Sequence, residues 1–147
     1  MRSCTFFGHR NFNINAVPLI LNTIRVLIEN EDVDVFFIGN NGAFDASVIS
    51  TLDKLRSSYN FKAYIVLPSY SPFSKCSATD LPFNTIIPDG LERTPKKFAI
   101  LKRNEWMINH SDFIVTYVRH EAGSGAAKAK KLASAKKKTV IELYSHN

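Results

Sequence analysis

The sequence predicts an α/β protein built on a mainly parallel sheet of about five strands. Two observations support this fold class. Short apolar runs rich in β-branched and aromatic residues recur along the chain, and helical patterns lie between them. The runs are nearly continuous rather than alternating in polarity, which is typical of strands buried on both faces of a parallel sheet. Strands that alternate with helices in this way are joined by right-handed crossovers.

The predicted elements follow one another without an internal repeat or a linker. Strands are predicted at residues 3–7, 33–38, 63–67, 113–118 and 139–143. Helices are predicted at residues 17–28, 48–59, 96–109 and 125–137. Pro18 fits the first turn of the first helix, because an N–H group there has no partner within the helix in any case. We therefore expect residues 1–147 to form one domain.

Residues 68–95 interrupt the alternation of strands and helices. The segment contains five prolines and several Ser, Thr and Asp residues, and it is predicted to be a loop. Loops of this length in a compact domain are often functional or mobile. Two interpretations stay open here, a lid over a ligand and an irregular part of the surface.

Composition excludes several classes of protein. No apolar stretch approaches the roughly 20 residues that a membrane-spanning helix needs, and the amino terminus lacks the pattern of a secretory signal. We therefore expect a cytoplasmic protein without a membrane partner. Cys4 and Cys76 are far apart, which argues against a disulfide framework, and Cys4 is expected to be buried. No metal and no cofactor are expected.

The formal net charge of +6 suits an anionic ligand or a nucleic acid. Much of the excess lies in and just after the last predicted helix, at Lys128, Lys130, Lys131, Lys136, Lys137 and Lys138. A solvated helix face, with cations near the carboxyl end of the helix dipole, is the favoured interpretation. The mixture of aromatic and basic residues found in many RNA-binding segments is missing from this stretch.

Three predicted strands end in turns rich in small and polar residues. Residues 8–12 read GHRNF, residues 39–45 read GNNGAFD and residues 119–126 read RHEAGSGA. In an open parallel sheet the carboxyl ends of the strands share one edge, and ligands bind outside that edge. We therefore expect the three turns to converge on one site.

Glycines in the second and third of these turns are candidates for ligand contact. Glycine lets a ligand approach the main chain closely, and the N–H groups at a helix start attract anions. Gly123, Ser124 and Gly125 are predicted to hold a phosphate in this way. The candidates for a second phosphate or a ribose are Gly39, Asn40 and Gly42. The other interpretation is that the glycines only form tight turns, but two such turns on one edge favour a nucleotide-like ligand.

Polar side chains near these turns are further candidates. Gly8 precedes His9 and Arg10 at the end of the first strand. Arg10 is suited to hold a phosphate in a bidentate fork, and His9 to donate to the ligand or to transfer a proton near neutral pH. Asp45 lies at the start of the second helix, where it either stabilises the helix start or accepts a ribose hydroxyl.

The third predicted helix carries polar residues amid apolar ones, among them Arg103 and Asn104. An arginine on a buried face needs a partner, which would be a bound phosphate, Asp45 or Glu105. Trp106 either stacks on a base or fills space in the core, and core packing is the favoured interpretation.

These motifs resemble one known group of proteins. Four stretches are similar to segments of the SLOG superfamily, and the resemblance spans nearly the whole chain. The stretches are CTFFGHR, GNNGAFD, IPDGLERTPKKFAILKRNEWMINHSDFIVTYV and GSGAAKAKKLASAKKKTVIEL. This superfamily contains Rossmann-like proteins related to the DNA-processing protein DprA and to the LOG phosphoribohydrolases. The most similar branch consists of small bacterial and phage proteins with a GHR motif. The resemblance implies a Rossmann-like three-layer sandwich, a nucleotide-derived ligand and a homodimer.

The match to the LOG enzymes is incomplete. Those enzymes split the glycosidic bond of nucleoside monophosphates, and they carry an arginine–lysine pair followed by a PGGxGTxxE turn. Arg103 matches the arginine, and Asn104 stands in place of the lysine. Gly125 matches the glycine before the threonine, Ala126 replaces the threonine, and Ala129 replaces the glutamate. The LOG reaction is therefore not carried over, because the carboxylate that would stabilise an oxocarbenium-like state is missing from its expected place.

Three functional hypotheses follow. The favoured one is binding of a nucleotide or nucleotide-derived ligand, either ADP-ribose-like or a nucleoside monophosphate. The first alternative is a nucleoside or nucleotide N-glycosidase in which His9, Asp45 or Glu121 is catalytic, transferring a proton or stabilising the reacting sugar. The second alternative is DprA-like nucleic-acid binding through the lysine-rich helix, with an affinity that falls steeply with salt.

Overall fold

The computed structural model describes residues 2–68, 81–119 and 124–144. Six strands and four α-helices lie in these ranges, and they alternate except that β4 follows β3 with no α-helix among the described residues between them. The strands are β1 (Arg2–Gly8), β2 (Val33–Ile38), β3 (Lys62–Val66), β4 (Asn84–Ile86), β5 (Phe113–Tyr117) and β6 (Thr139–Glu142). The helices are α1 (Val17–Glu31), α2 (Ala43–Leu55), α3 (Lys96–Asn109) and α4 (Gly125–Ala135), with short 3-10 turns at Ile14–Ala16 and Leu91–Arg93.

All neighbouring strands of the sheet are parallel, and their order is β4-β3-β2-β1-β5-β6. The chain builds outward from β1 to β4 on one side and then returns to place β5 on the other side of β1. The direction of winding therefore changes between β1 and β5. In doubly wound sheets, the crevice at the carboxyl ends of the strands at such a switch point is the usual ligand site.

Helices cover both faces of the sheet, and the sheet separates the core into two clusters. Phe6 and Phe36 lie in the cluster under α1 and α2. Phe7 and Phe37, the next residues along β1 and β2, lie in the opposite cluster under α3 and α4. Successive strand residues point to opposite faces, so strands covered on both faces need continuous apolar runs. The result is a three-layer α/β arrangement that is consistent with a Rossmann-like sandwich.

The sheet has six strands rather than the predicted five. The additional strand, β4, lies within residues 68–95, where the sequence predicts only a loop. It has three residues and pairs with β3 alone, at the edge of the sheet. A run as short as NTI carries no apolar pattern of its own, so its strand conformation depends on hydrogen bonds to β3. Residues 69–80, and with them part of the possible lid, lie outside the described residues.

The burial of Cys4 and the character of the helices bear on two expectations drawn from composition. Cys4 is fully buried in β1, as predicted, and burial raises the pKa of its thiol well above the usual value. Its side chain therefore acts as a small apolar residue of the core. None of the helices in the described ranges combines the length and the apolar character that crossing a membrane requires.

Candidate functional site

A cavity of about 250 Å³ opens at the carboxyl ends of β1 and β2, beside the start of α4. The end of β1 and the turns after β1 and β2 contribute Phe6, Phe7, Gly8, His9, Arg10, Gly39, Asn41 and Asp45, the last from the first turn of α2. The helix α3 and the start of α4 contribute Ile100, Arg103, Asn104, Met107, Ser124, Gly125 and Ala126. The three turns therefore meet at one edge of the sheet, beside the switch point between β1 and β5.

The first turn of α4 forms one wall of the cavity. Ser124 is the N-cap residue, and its Oγ accepts a hydrogen bond from the N–H of Ala127 at 3.0 Å. Gly125 and Ala126 follow, and the N–H groups at these first helical positions have no acceptor within the helix. The start of α4 therefore presents partial positive charge to the cavity.

Arg103 brings a cation into the cavity from α3. The side chain is 4% exposed, because it lies on the face of α3 that packs against the sheet. Its Nε and Nη2 donate to Oδ1 of Asn104 at 3.2 and 3.0 Å. Its Nη1 is buried and has no hydrogen-bond partner among the described residues. Buried donors without partners are rare and cost about 1–3 kcal/mol each, so Nη1 is the atom of this cavity whose hydrogen bonding is left to be explained.

Asp45 brings a carboxyl group into the same cavity from the first turn of α2. It is 7% exposed, and its Oδ2 accepts the N–H of Asn41 at 2.9 Å. Burial raises the pKa of Asp45 to about 6, while the Asn41 N–H and the charge of Arg103 act in the opposite direction. Asp45 can therefore gain or lose a proton near neutral pH. It also stabilises the turn before α2, although the N-cap residue itself is Gly42.

Gly39 allows the guanidinium and the carboxyl group to approach the same point. A methyl group on its Cα would lie 2.9 Å from Oδ2 of Asp45 and 3.2 Å from Nη1 of Arg103. The two side chains are not joined by an ion pair, since the ion pairs of the described residues all involve other side chains. Burial lowers the pKa of Arg103, and the charge of Asp45 offsets only part of this effect.

Gly8 and Gly42 serve the packing and the turns of the fold. A methyl group on Gly8 would lie 2.2 Å from Cγ of Phe44, so Gly8 leaves room for that ring. Gly42 has a φ of 109°, and a methyl group there would lie 2.9 Å from Cα of Arg10. The tight-turn interpretation therefore explains Gly42, whereas packing against Phe44 explains Gly8. Gly125 differs, because a methyl group there would meet no described atom within 4 Å.

His9 and Arg10 connect the three turns. Nε2 of His9 accepts the N–H of Arg119 at 2.7 Å, so the neutral ring carries its proton on Nδ1. Nη2 of Arg10 donates to Oδ1 of Asn41 at 2.7 Å, and the carbonyl of Arg10 accepts the N–H of Ala43 at 3.2 Å. The turn after β1 is thereby held to the turns after β2 and β5, and both side chains also line the cavity.

Four predicted site residues are not seen to line the cavity. Asn40 is exposed, and Gly42 contacts Arg10 rather than the cavity. Gly123 and Glu121 lie outside the described residues. The remaining predicted residues lie together around the cavity.

Trp106 and Glu105 lie away from this cavity on α3. The ring of Trp106 packs edge-on against Phe37, with 5.3 Å between ring centroids, and stacks on His110 at 4.1 Å. Glu105 is exposed to solvent. Core packing therefore accounts for Trp106, and Asn104 rather than Glu105 or Asp45 is the hydrogen-bond partner of Arg103.

Six cavity residues are not among the predicted site residues: Phe6, Phe7, Asn41, Ile100, Met107 and Ala126. On α3, Ile100, Arg103, Asn104 and Met107 have the spacing i, i+3, i+4 and i+7, which places them on one face of a helix. That spacing is a signal by which Ile100 and Met107 could be found. Asn41 adjoins the predicted Asn40, and the turn conformation decides which of the two faces the cavity.

The cavity offers main-chain N–H groups, two guanidinium groups, an imidazole and one buried carboxyl group. The residues that the structure describes contain no group of three or more His, Cys, Asp or Glu side chains arranged to hold a metal ion.

No protein-family model matches this sequence, and no curated protein matches it.

Proposed function

We propose that this chain binds a nucleotide or a nucleotide-derived anion, such as a nucleoside monophosphate or an ADP-ribose-like molecule, in the cavity at the carboxyl ends of β1 and β2. The observation that carries the proposal is Nη1 of Arg103, a buried cationic donor without a hydrogen-bond partner among the described residues. Guanidinium groups match the geometry and charge of phosphate oxygens, so a phosphate is the acceptor that best satisfies this atom.

The surroundings of Arg103 favour an anion over a neutral ligand. Ser124 and Gly125, at the start of α4, line the same cavity, and a helix start attracts phosphate through its N–H groups and its dipole. Arg10 contributes a second guanidinium. Asp45 is the single acidic side chain lining the described part of the cavity.

The size of the cavity limits how much of a ligand it can enclose. Its volume of about 250 Å³ is below the roughly 300–1,000 Å³ of pockets that enclose a drug-sized molecule. We therefore propose that a phosphorylated sugar or a single nucleotide fills the cavity, and that any further part of an ADP-ribose-like ligand extends outside it.

We also propose that the chain belongs to the SLOG superfamily and has its Rossmann-like sandwich. Arg103 and Gly125, the two positions that match the LOG pattern, line one cavity. The change of winding between β1 and β5 supports a ligand site at that edge of the sheet. A cytoplasmic location and a homodimer are parts of the same proposal.

Mass spectrometry of small molecules released from the purified, denatured protein tests the binding proposal directly. We expect a phosphorylated nucleoside or sugar. In parallel, AMP and ADP-ribose are expected to raise the melting temperature of the wild-type protein. Binding should weaken about tenfold or more in Arg103→Met, because a hydrogen bond to a charged group contributes about 1.5–3 kcal/mol.

Lys102→Met is the matched control for Arg103→Met. Lys102 is the exposed neighbour of Arg103 on α3, and the substitution removes the same charge. Ligand-dependent stabilisation should persist in this variant. Equal stabilisation of Arg103→Met and the wild type by AMP would remove Arg103 from the site and with it the main support for the proposal.

Hydrolysis of an N-glycosidic bond is a second candidate function, and one observation favours it. Asp45 is a buried carboxyl group in the cavity, and its pKa of about 6 suits proton transfer near neutral pH. Incubation of the protein with nucleoside monophosphates or NAD, followed by chromatography for the free base, tests this activity. Free base released by the wild type and not by Asp45→Asn would support the hydrolase, whereas saturable binding without release would reject it.

A further inference from the structure

The cavity places a cation and an acid side by side without pairing them. Nη1 of Arg103 and Oδ2 of Asp45 both lie about 3 Å from the position that a methyl group on Gly39 would occupy, at 3.2 and 2.9 Å. Both side chains are buried, at 4% and 7% exposure. No ion pair joins them within the described residues. An anion that binds Arg103 will therefore also lie near the carboxyl group.

The ionised carboxylate of Asp45 and a phosphate bound to Nη1 of Arg103 would repel each other. Repulsion between like charges is strong where water is excluded, and it raises the pKa of a carboxyl group. A neutral carboxyl group behaves differently, because its O–H donates a hydrogen bond. Oδ2 of Asp45 already accepts the N–H of Asn41, so we assign the proton to Oδ1, which no hydrogen bond of the described residues engages.

We propose that the site binds its phosphate-bearing ligand together with one proton, which passes from solvent to Oδ1 of Asp45 and is donated as a hydrogen bond to the anion. This inference rests on the proposed function, and it assigns to Asp45 the role of a donor rather than an acceptor of ligand hydroxyls. The balance is one proton taken up for each anion bound, with no bond of the ligand broken.

The other charged groups facing Asp45 across the cavity are Arg103 on α3 and His9 and Arg10 after β1. The two arginines keep their charge throughout the pH range of a folded protein. His9 is the remaining ionisable side chain of this set. Because burial raises the pKa of Asp45 to about 6, a minor fraction of the molecules carries the proton near neutral pH without a ligand. The proton is therefore available at little cost.

Inorganic sulfate is the probe for this inference, because its charge does not change near neutral pH, whereas the second pKa of a phosphate ester is about 6. Backbone amide shifts of Ser124, Gly125 and Ala126 would report sulfate binding by NMR titration at several pH values. Sulfate affinity should fall by up to tenfold per pH unit above about pH 6 in the wild type. In Asp45→Asn most of this decrease in sulfate affinity with pH should disappear. Any contribution of His9 is present in both proteins and does not account for a difference between them.

Asp34→Asn is the matched control, because Asp34 is an exposed acid near the opposite end of β2 and its loss changes the net charge equally. This variant should keep the pH dependence of the wild type. A second measurement needs no substitution: the carboxyl carbon resonance of Asp45, followed against pH, should show a higher midpoint with sulfate than without it.

The outcomes separate the two proposals. Sulfate binding with an unchanged or lowered midpoint for Asp45 would overturn the proton-coupled site and leave anion binding intact. Wild-type pH dependence of sulfate affinity in Asp45→Asn would overturn the proton-coupled site in the same way. Failure of both sulfate and AMP to bind at any pH would overturn the proposed function and this inference together.

Discussion

At the scale of single residues, Arg103 combines a buried charge with an unsatisfied donor. Its guanidinium is bound on one edge by Asn104, and Nη1 lacks a partner among the described residues. Such an arrangement costs free energy in the unliganded protein, because desolvation of the charge is not offset by an ion pair. The cost is the kind that binding sites carry for function.

The first prediction concerns the stability of the unliganded protein. Arg103→Met keeps most of the buried stem and removes the desolvated charge, so it should raise the free energy of unfolding by about 1–3 kcal/mol, the cost of a buried unpaired group. Urea denaturation without ligand measures this change. Lys102→Met should alter the same quantity by less than about 0.5 kcal/mol. A less stable Arg103→Met would show that the hydrogen bonds of the guanidinium to Asn104 outweigh the cost of burying it.

Asp45 leads to a second prediction, on the pH dependence of stability. Burial raises its pKa from 3.8 to about 6 in the folded protein, so the folded state binds the proton more tightly than the unfolded state does. The contribution of Asp45 is fully present below about pH 3.8 and is lost as pH rises through about 6. Two pKa units correspond to about 3 kcal/mol. Asp45→Asn cannot ionise at this position. Its free energy of unfolding should therefore rise relative to that of the wild type by up to about 3 kcal/mol between pH 4 and pH 7.

Chemical denaturation of both proteins across this pH range tests the prediction. Asp34→Asn, an exposed substitution on β2, should follow the wild-type curve closely. A constant difference between Asp45→Asn and the wild type at all pH values would contradict the raised pKa of Asp45.

At the scale of the elements, the start of α4 and the end of β1 use glycine for different reasons. A methyl group on Gly8 would collide with Phe44, whereas one on Gly125 meets no described atom within 4 Å. Gly8→Ala should therefore destabilise the fold by about 1–3 kcal/mol through overpacking. Gly125→Ala should change stability by less than about 1 kcal/mol but weaken AMP binding, because Gly125 lines the cavity.

Thermal denaturation with and without AMP separates these two effects. Gly8→Ala should melt earlier in both conditions, whereas Gly125→Ala should stay close to the wild type without AMP and gain less stability than the wild type when AMP is added. Wild-type behaviour of Gly125→Ala with AMP would indicate that the ligand does not approach the start of α4.

Glu142 joins three elements near the carboxyl end of β6. Its carboxylate accepts hydrogen bonds from Thr116 Oγ1, the N–H groups of Val118 and Tyr144, and Lys130 Nζ, at 2.9 to 3.0 Å. Burial alone would raise the pKa of Glu142, but these hydrogen bonds together hold it below the usual 4.5. A lysine of the basic α4 is thus used in holding α4 to the sheet.

The fourth prediction is that Glu142→Gln loses about 1–3 kcal/mol of stability at neutral pH. The side-chain nitrogen of glutamine is a donor, so it cannot accept the hydrogen bonds that a carboxylate oxygen of Glu142 accepts. The stabilisation by Glu142 is present above its unfolded pKa and is lost as pH falls through the lower folded pKa. Urea denaturation should therefore show a difference from the wild type that shrinks below about pH 4.5. Glu105→Gln, an exposed change on α3, is the control.

At the scale of the whole molecule, the proposed homodimer yields the fifth prediction. Phe98 and Leu101 on α3 are 45% and 49% exposed, and exposed apolar side chains that lie together commonly mark an interface. Sedimentation equilibrium should give twice the chain mass of 16.6 kDa. Leu101→Glu should shift the protein toward the monomer, whereas Lys97→Glu, an exposed change on the same helix, tests for a simple charge effect. A wild-type monomer at all concentrations would reject the homodimer.

Most of the sheet could be predicted from the sequence because each central strand carries its own signal. Nearly continuous apolar runs such as that of β2 exist because both faces of the sheet are covered, and this pattern is local in the sequence. The edge strand β4 has no such pattern, because a partner on one side decides its conformation. The convergence of the three turns was equally predictable, as it follows from parallel pairing alone.

The amino-acid sequence is enough to establish the α/β class, the positions of five of the six strands and the residue types that gather at the carboxyl edge. Local periodicity and turn chemistry suffice for these features. Three-dimensional packing was needed to find that Arg103 has a buried donor without a partner among the described residues, that Asp45 lies close to it without an ion pair, and that Gly8 serves packing. These facts depend on distances between residues far apart in the chain, and spacing along a sequence does not contain such distances.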